Sequence, residues 1–150
     1  MTKKRVDTVE RTLEVVGDYW TFLILREAFF GVRRFDEVQN NLNISRNILT
    51  VRLQRLVENG ILRREQYQEK PVRFEYRLTE KGLELYPIIV AMLRWGDKWL
   101  ADRDVARVNL KHNLCGNLIT AQTVCEHCGA EIKARDVSYE DHNRSGGKEL

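Results

Sequence analysis

Residues 45–60 read SRNILTVRLQRLVENG, and residues 61–78 read ILRREQYQEKPVRFEYRL. In the first stretch Leu49, Leu53, Leu56 and Val57 recur at helical spacing and share one face. Ser45 is a residue type that accepts a hydrogen bond from the open N–H groups of a first helical turn, and Gly60 stands where a chain leaving a helix favours glycine. The helix predicted over these residues leaves Arg46, Asn47, Thr50, Val51, Gln54 and Arg55 to its outer face or flanks. The second stretch changes period. Val72, Phe74, Tyr76 and Leu78 alternate with Arg73, Glu75 and Arg77, the two-residue repeat of a strand. Gln68-Glu69-Lys70-Pro71 is then the loop of a basic β-hairpin, tipped by one lysine.

Immediately upstream, RRFDEVQNNL predicts a short helix, joined to the next by Asn43-Ile44. Helix, tight turn, helix and basic hairpin is the winged helix-turn-helix order. That order sets the second helix in a DNA major groove and the wing near the backbone. Val9, Leu13 and Val16 predict a first helix ended by Gly17-Asp18; Trp20, Leu23, Ile24 and Ala28 predict a second with Gly31 at its C-cap. Both are expected to pack under the reading unit. Downstream, Thr79 is the expected N-cap of a long helix, LTEKGLELYPIIVAMLRWGDKWLADR, which Pro87 kinks or restarts. Its apolar stripe is broader than a small domain core requires, so it is expected to be a dimer face, the alternative being a helix packed on its own domain. The interface candidates are Leu85, Ile89, Met92, Leu93, Gly96 and Trp99. The expected fold class is therefore α+β: a winged helix-turn-helix dimer, mostly α with a β-hairpin wing, over residues 1–104. A small β-rich appendage follows at 105–135. Residues 136–150 are polar, end Ser-Gly-Gly-Lys-Glu-Leu and are expected to be disordered.

The 150 residues suffice for one domain and an appendage, and a hydrophobic content of 43% permits a true core. The net charge of +3 is a weak pointer to a polyanionic partner, but its placement is stronger. Between Ser45 and Thr79 there are eight Lys/Arg against four Asp/Glu. On charge alone a solvated face is the better explanation of such a run, and the helix-turn-helix context reverses that preference. Met-Thr-Lys-Lys-Arg is followed by no apolar segment, so no export signal is expected, and no run approaches the length of a membrane span. With three cysteines, an odd number, the expected compartment is the reducing cytoplasm, where cysteines bind metal or react more often than they pair.

A resemblance enters on residues already quoted. Val9-Glu10-Arg11-Thr12-Leu13, Gly17-Asp18-x-Trp20-Thr21-x-Leu23-Ile24-Leu25-Arg26, Gly31-x-Arg33-Arg34-Phe35, Leu53-x-x-Leu56-x-x-x-Gly60 and Glu75-Tyr76-x-Leu78-Thr79-x-x-Gly82 resemble the HxlR family of bacterial transcription regulators, related to the MarR-type winged helix proteins. The resemblance spans roughly residues 5 to 101. It implies a homodimer on near-palindromic operators and identifies neither target genes nor inducer. Many members carry a cysteine just before the Val-x-Arg segment, acting in some as a redox or electrophile sensor. Asp7 stands at that position, and a carboxylate forms neither disulfide nor adduct, so a thiol switch by that route is excluded.

The groove-facing candidates are Ser45, Arg46, Asn47, Thr50, Val51 and Gln54, because arginine forks onto guanine, Asn or Gln onto adenine, and Thr or Val methyls touch the thymine methyl. The phosphate candidates are Arg52, Arg55, Lys70, Arg73 and Arg77. Arg63 and Arg64 either join them or pair with Glu65, Glu75 or other nearby carboxylates. A second constellation is His112-x2-Cys115-Gly116 with Cys125-x2-Cys128-Gly129. Four borderline-to-soft ligands in two pairs suit one structural zinc per chain; the alternative is a zinc-free appendage with free thiols. His127, between two ligands, is expected to point outward. Trp20, Tyr86, Trp95 and Trp99 either line a pocket for a small-molecule effector of unknown identity or belong to the core. No phosphate loop, nucleophile–base–acid set or open metal site is visible, so no enzyme is expected. The leading expectation is a homodimeric regulator binding double-stranded DNA. The alternatives are a metal- or redox-responsive sensor using the C-terminal cysteines, and a winged helix/zinc-ribbon protein-interaction module.

Overall fold

The computed structural model describes residues 7–102, 104 and 107–138, and two compact units divide the chain, residues 1–89 and 90–150. The first opens with α1 (Thr8–Val16), whose first turn is capped by Asp7 through Glu10 N–H at 3.0 Å. Asp18 caps α2 (Tyr19–Phe29) in the same manner, through Thr21 N–H at 3.1 Å. Next come α3 (Phe35–Leu42) and α4 (Arg46–Glu58). The link between them is as short as the sequence predicts: Asn43 takes a left-handed φ of 48° and Ile44 is buried. Ser45 Oγ then accepts from Ile48 N–H at 3.3 Å and starts α4.

The core forms where the helical spacing places it. Leu49, Leu53 and Leu56 of α4 are at most 2% exposed and are buried together with Val16, Ile24, Leu25, Val38, Ile44 and Ile61. Glu27 of α2 is also buried, and its carboxylate is held on both sides, by Arg26 at 2.8 Å and by Asn41 Nδ2 of α3 at 2.8 Å. A buried carboxylate is tolerated only with such partners, and this one ties α2 to α3.

The hairpin is β1 (Leu62–Gln68) and β2 (Arg73–Leu78), antiparallel, with Leu62 opposite Leu78 and Glu65 opposite Glu75. The register shifts between Gln66 and Gln68, so Tyr67 is the extra residue of a bulge, and Val72 belongs to the turn rather than to β2. Arg33 and Arg34 lie along the hairpin's edge: Tyr76 N–H donates to Arg33 O at 2.8 Å, and Arg34 bridges Glu75. The wing is thereby fastened to the start of α3.

The long helix predicted from Thr79 is two helices, α5 (Glu80–Leu83) and α6 (Tyr86–Trp99), and Pro87 lies in the first turn of the second. Proline is tolerated there because that N–H has no partner within the helix. Thr79 caps α5 through Gly82 N–H at 3.1 Å, and its own N–H donates to Ile61 O at 3.0 Å. Gly82 is packed against the backbone carbonyl of Ile61, where a Cβ would collide. The resemblance motif Thr79-x-x-Gly82 therefore has a local cause: a cap and a close approach.

In the second unit, beyond the end of α6, β3 (Leu110–Lys111) pairs with β4 (Leu118–Ile119), and a 3-10 turn covers Ala134–Asp136. Arg94 of α6 donates to Ala121 O at 2.6 Å and meets Glu131 Oε1 at 3.1 Å. The division at 89/90 therefore falls inside α6, upstream of the compositional step at 104/105. The disordered tail expected from 136 lies, from residue 139 on, outside the described residues, and Asp136 closes the 3-10 turn. Among the described residues no helix is long and apolar enough to cross a membrane.

Candidate nucleic-acid interface

Helix α4 is two-faced by composition, and packing fixes which face looks out. With Leu49, Leu53 and Leu56 inward, Ser45, Arg46, Asn47, Thr50, Val51 and Gln54 are all exposed, along with Ile48. Thr50 Oγ1 donates to Arg46 O at 2.8 Å. Gln54 Nε2 reaches Glu58 at 2.8 Å, one turn further on.

A concave channel of about 570 Å³ runs between α4 and the wing, lined in part by Phe35, Arg46, Thr50, Gln54, Arg64 and Phe74. Its cations rest on aromatic faces. The Arg64 guanidinium lies 3.6 Å from the Phe74 ring centroid and Arg46 lies 4.9 Å from Phe35, and in a separate hollow Arg34 lies 4.7 Å from Tyr67. Stacking holds a guanidinium in place without neutralising it, so these arginines keep their charge for an anionic partner. At the wing, Lys70 and Arg73 are exposed.

The other arginines of the segment have partners. Arg52 Nε is 3.1 Å from Asp18 Oδ1, half-buried and without hydrogen-bond alignment, so the pairing is one of charge. Arg55 donates to the Glu14 carbonyl in the last turn of α1. Arg77 is 2.6 Å from Glu75 and 2.9 Å from Glu65, and Arg63 is 2.5 Å from Glu65. Hydrogen bonding to Glu75 raises the Arg77 pKa further, and the Arg63 guanidinium lowers that of Glu65. The sequence leaves the Arg63/Arg64 choice open; in the structure Arg63 pairs and Arg64 stacks. Arg34 and Phe35 are absent from the sequence-based candidates because only the tertiary fold carries the start of α3 to the wing.

Leu85, just before α6, is half-buried; on α6, Ile89 is buried, Leu93 and Gly96 are half-buried, and Met92 and Trp99 are exposed at 51% and 64%. The exposed apolar residues follow a neighbouring stripe, Ile88, Met92, Trp95 and Trp99, with Trp95 at 58%. On α1, Val9 and Leu13 are exposed at 66% and 56%. Of the aromatic set, Trp20 meets Tyr19 edge-on at 5.1 Å and Tyr86 leans on Phe29 at 5.0 Å.

The cysteine-bearing turns are both formed. His112 Nδ1 lies 3.4 Å from Cys115 Sγ. The backbone N–H groups of Cys128 and His127 and the Cys128 thiol bond to Cys125, holding its thiol below the usual range. His127 is exposed beside Glu126 at 3.5 Å. Among the described residues no three His, Cys, Asp or Glu side chains converge into a group able to hold a metal.

Comparison with known proteins places these features. The family described as HxlR-like helix-turn-helix matches residues 15–104. An uncharacterized HTH-type transcriptional regulator of Mycobacterium tuberculosis, Rv3095, is 48% identical over 134 residues, 89% of this chain and 85% of that protein. The crystal structure of PA1607, a candidate transcription factor, superposes with a TM-score of 0.79 at 36% identity, over 89% of this chain and 94% of that one. The transcriptional regulator YodB of B. subtilis, in its reduced form, gives a TM-score of 0.55 at 31% identity, over 66% of this chain and all of its own.

Proposed function

We propose, from the premise that the chain belongs to the HxlR-like helix-turn-helix family and is a transcriptional regulator and not an enzyme, that it acts in the cytoplasm as a homodimer on near-palindromic duplex DNA. The observation that carries this reading is the exposed face Ser45, Arg46, Asn47, Thr50, Val51 and Gln54 on a helix whose opposite face is fully buried. The first turns of α4 reach base edges, with Arg46 on guanine and Asn47 or Gln54 on adenine. Lys70 and Arg73 at the wing, with Arg64 in the channel and Arg34 in the hollow beside Tyr67, meet phosphates. Arg52, Arg55 and Arg77 hold the fold in place of contacting DNA, since each already has a partner within the protein, Arg52 by charge and Arg55 and Arg77 by hydrogen bond. Two copies join through the exposed stripe Ile88, Met92, Trp95 and Trp99 of α6, because exposed aromatics of this density mark an interface.

Genomic footprinting of the bound protein tests the reading. Protected sites are expected to contain two inverted half-sites about one helical turn apart, centre to centre. Uniform binding without a shared motif would overturn sequence-specific regulation, and single isolated half-sites would overturn the dimer.

A further inference from the structure

We propose that His112, Cys115, Cys125 and Cys128 together bind one zinc ion, which closes the two turns of the C-terminal segment onto each other. The two turns are built alike although their sequences differ. Gly116 N–H donates to His112 O at 2.7 Å, and Gly129 N–H donates to Cys125 O at 2.8 Å. His112 N–H reaches Asn117 O at 2.9 Å, and Cys125 N–H reaches Ala130 O at 2.9 Å. Both turns end on a left-handed glycine, Gly116 at φ 73° and Gly129 at φ 72°. That conformation favours glycine over any residue with a Cβ. Twice, then, the chain folds a ligand-x2-ligand-Gly turn with the same hydrogen bonds, and each turn presents a pair of zinc-type donors.

Packing supplies the second argument. The segment has little core of its own: Leu114 is 91% exposed, Leu118 68% and Val124 49%, and its strands are two residues each. A piece of roughly thirty residues with so little buried apolar surface needs a staple. All three cysteines are unpaired thiols, so the staple is not a disulfide. Three thiolates and one imidazole make a closed tetrahedral set for zinc, with no open position for catalysis. Because the two pairs do not converge among the described residues, binding draws one turn toward the other. Arg94 already anchors the second turn's flanks, Ala121 and Glu131, to α6. The closed segment is thus fixed to the helix that carries the exposed aromatics. Alignment with the mycobacterial relative leaves only 16 of 150 residues unmatched at 134 aligned, so the likeness extends into this segment.

The experiment uses the full chain, purified under reducing conditions without chelator, with zinc measured by elemental analysis and Co²⁺ as the spectroscopic probe. One zinc per chain is expected, and Co²⁺ should give the visible bands of a tetrahedral thiolate site. Cys125→Ser and His112→Ala should each lower zinc affinity by roughly a hundredfold or more, one ligand's share of the binding free energy. His127→Ala should leave it unchanged. Zinc should also slow proteolysis within residues 107–138 of the unsubstituted chain. Substoichiometric metal after reconstitution, octahedral Co²⁺ spectra, or unaltered affinity in Cys125→Ser would each overturn the site. None of these readouts involves DNA, so the proposed regulator function stands or falls separately.

Discussion

Salt dependence separates the arginines that meet DNA from those that hold the fold. On the proposed interface each protomer offers Arg34, Arg64, Lys70 and Arg73 to phosphates, while Arg52, Arg55, Arg63 and Arg77 have partners within the protein. Three to four contacts per protomer make about six to eight for a dimer, a slope of log K against log salt of about −5 to −7, and a loss of roughly 10³–10⁴ in affinity between about 50 and 200 mM salt. Lys70→Ala removes one contact from each copy and should flatten the slope by about 2, equally on all sequences. Asn47→Ala should keep the slope and cost about 1–3 kcal/mol per half-site on the preferred sequence alone. Arg55→Ala should also keep the slope, because its partner is the Glu14 carbonyl, and should instead lower the melting temperature. Fluorescence anisotropy of a labelled duplex titrated across potassium chloride measures all three. A flattened slope in Arg55→Ala together with an unchanged one in Lys70→Ala would refute the division of roles.

Two further outcomes are expected. Trp95→Asp combined with Trp99→Asp should convert the dimer to a monomer in analytical ultracentrifugation at micromolar concentration, whereas Leu85→Ala should shift the equilibrium less, since Leu85 is half-buried in the protomer. Asn41→Ala leaves one Glu27 oxygen short of its donor and should cost about 1–3 kcal/mol in denaturant unfolding; an unchanged midpoint would mean that the Glu27 link does not set the α2–α3 geometry.

Much of the fold is legible because local signals agree with each other. Ser45, Leu49, Leu53, Leu56 and Gly60 specify α4 by cap, period and stop, and the structure uses each of them. The two-residue alternation likewise gives β2, although its start moves from Val72 to Arg73 because the bulge at Tyr67 consumes a residue of the opposing strand. Pro87 leaves kink and restart open, and the structure shows a restart: α5 ends at Leu83 and α6 begins at Tyr86, with Pro87 in its first turn. The stripe read from spacing and the stripe left exposed on α6 differ by one helical row. Spacing alone groups Ile89 with Met92 and Trp99, but a broad stripe on a helix has two edges, and periodicity does not say which edge the protomer buries.

The charged site is less legible for a physical reason. An arginine on an outer helical face looks the same in sequence whether it meets a phosphate or a carbonyl forty residues away. Arg55 and Glu14 are 41 positions apart, and Arg52 and Asp18 are 34 apart, so no local pattern links them. Arg34 and Arg64 gain their places from the opposite circumstance, aromatic neighbours on other elements or further along the hairpin. The consequence is specific. Of the eight basic residues between Ser45 and Thr79, four are drawn into pairs that hold the domain together, and on the proposed interface the charge offered to DNA comes from Arg46, Arg64, Lys70 and Arg73, joined by Arg34 from outside the run. The run of charge that first suggests a polyanion is therefore half scaffold. The scaffold half works because Arg52 and Arg55 fasten α4 to the cap of α2 and to the last turn of α1, fixing the angle at which its other face is presented.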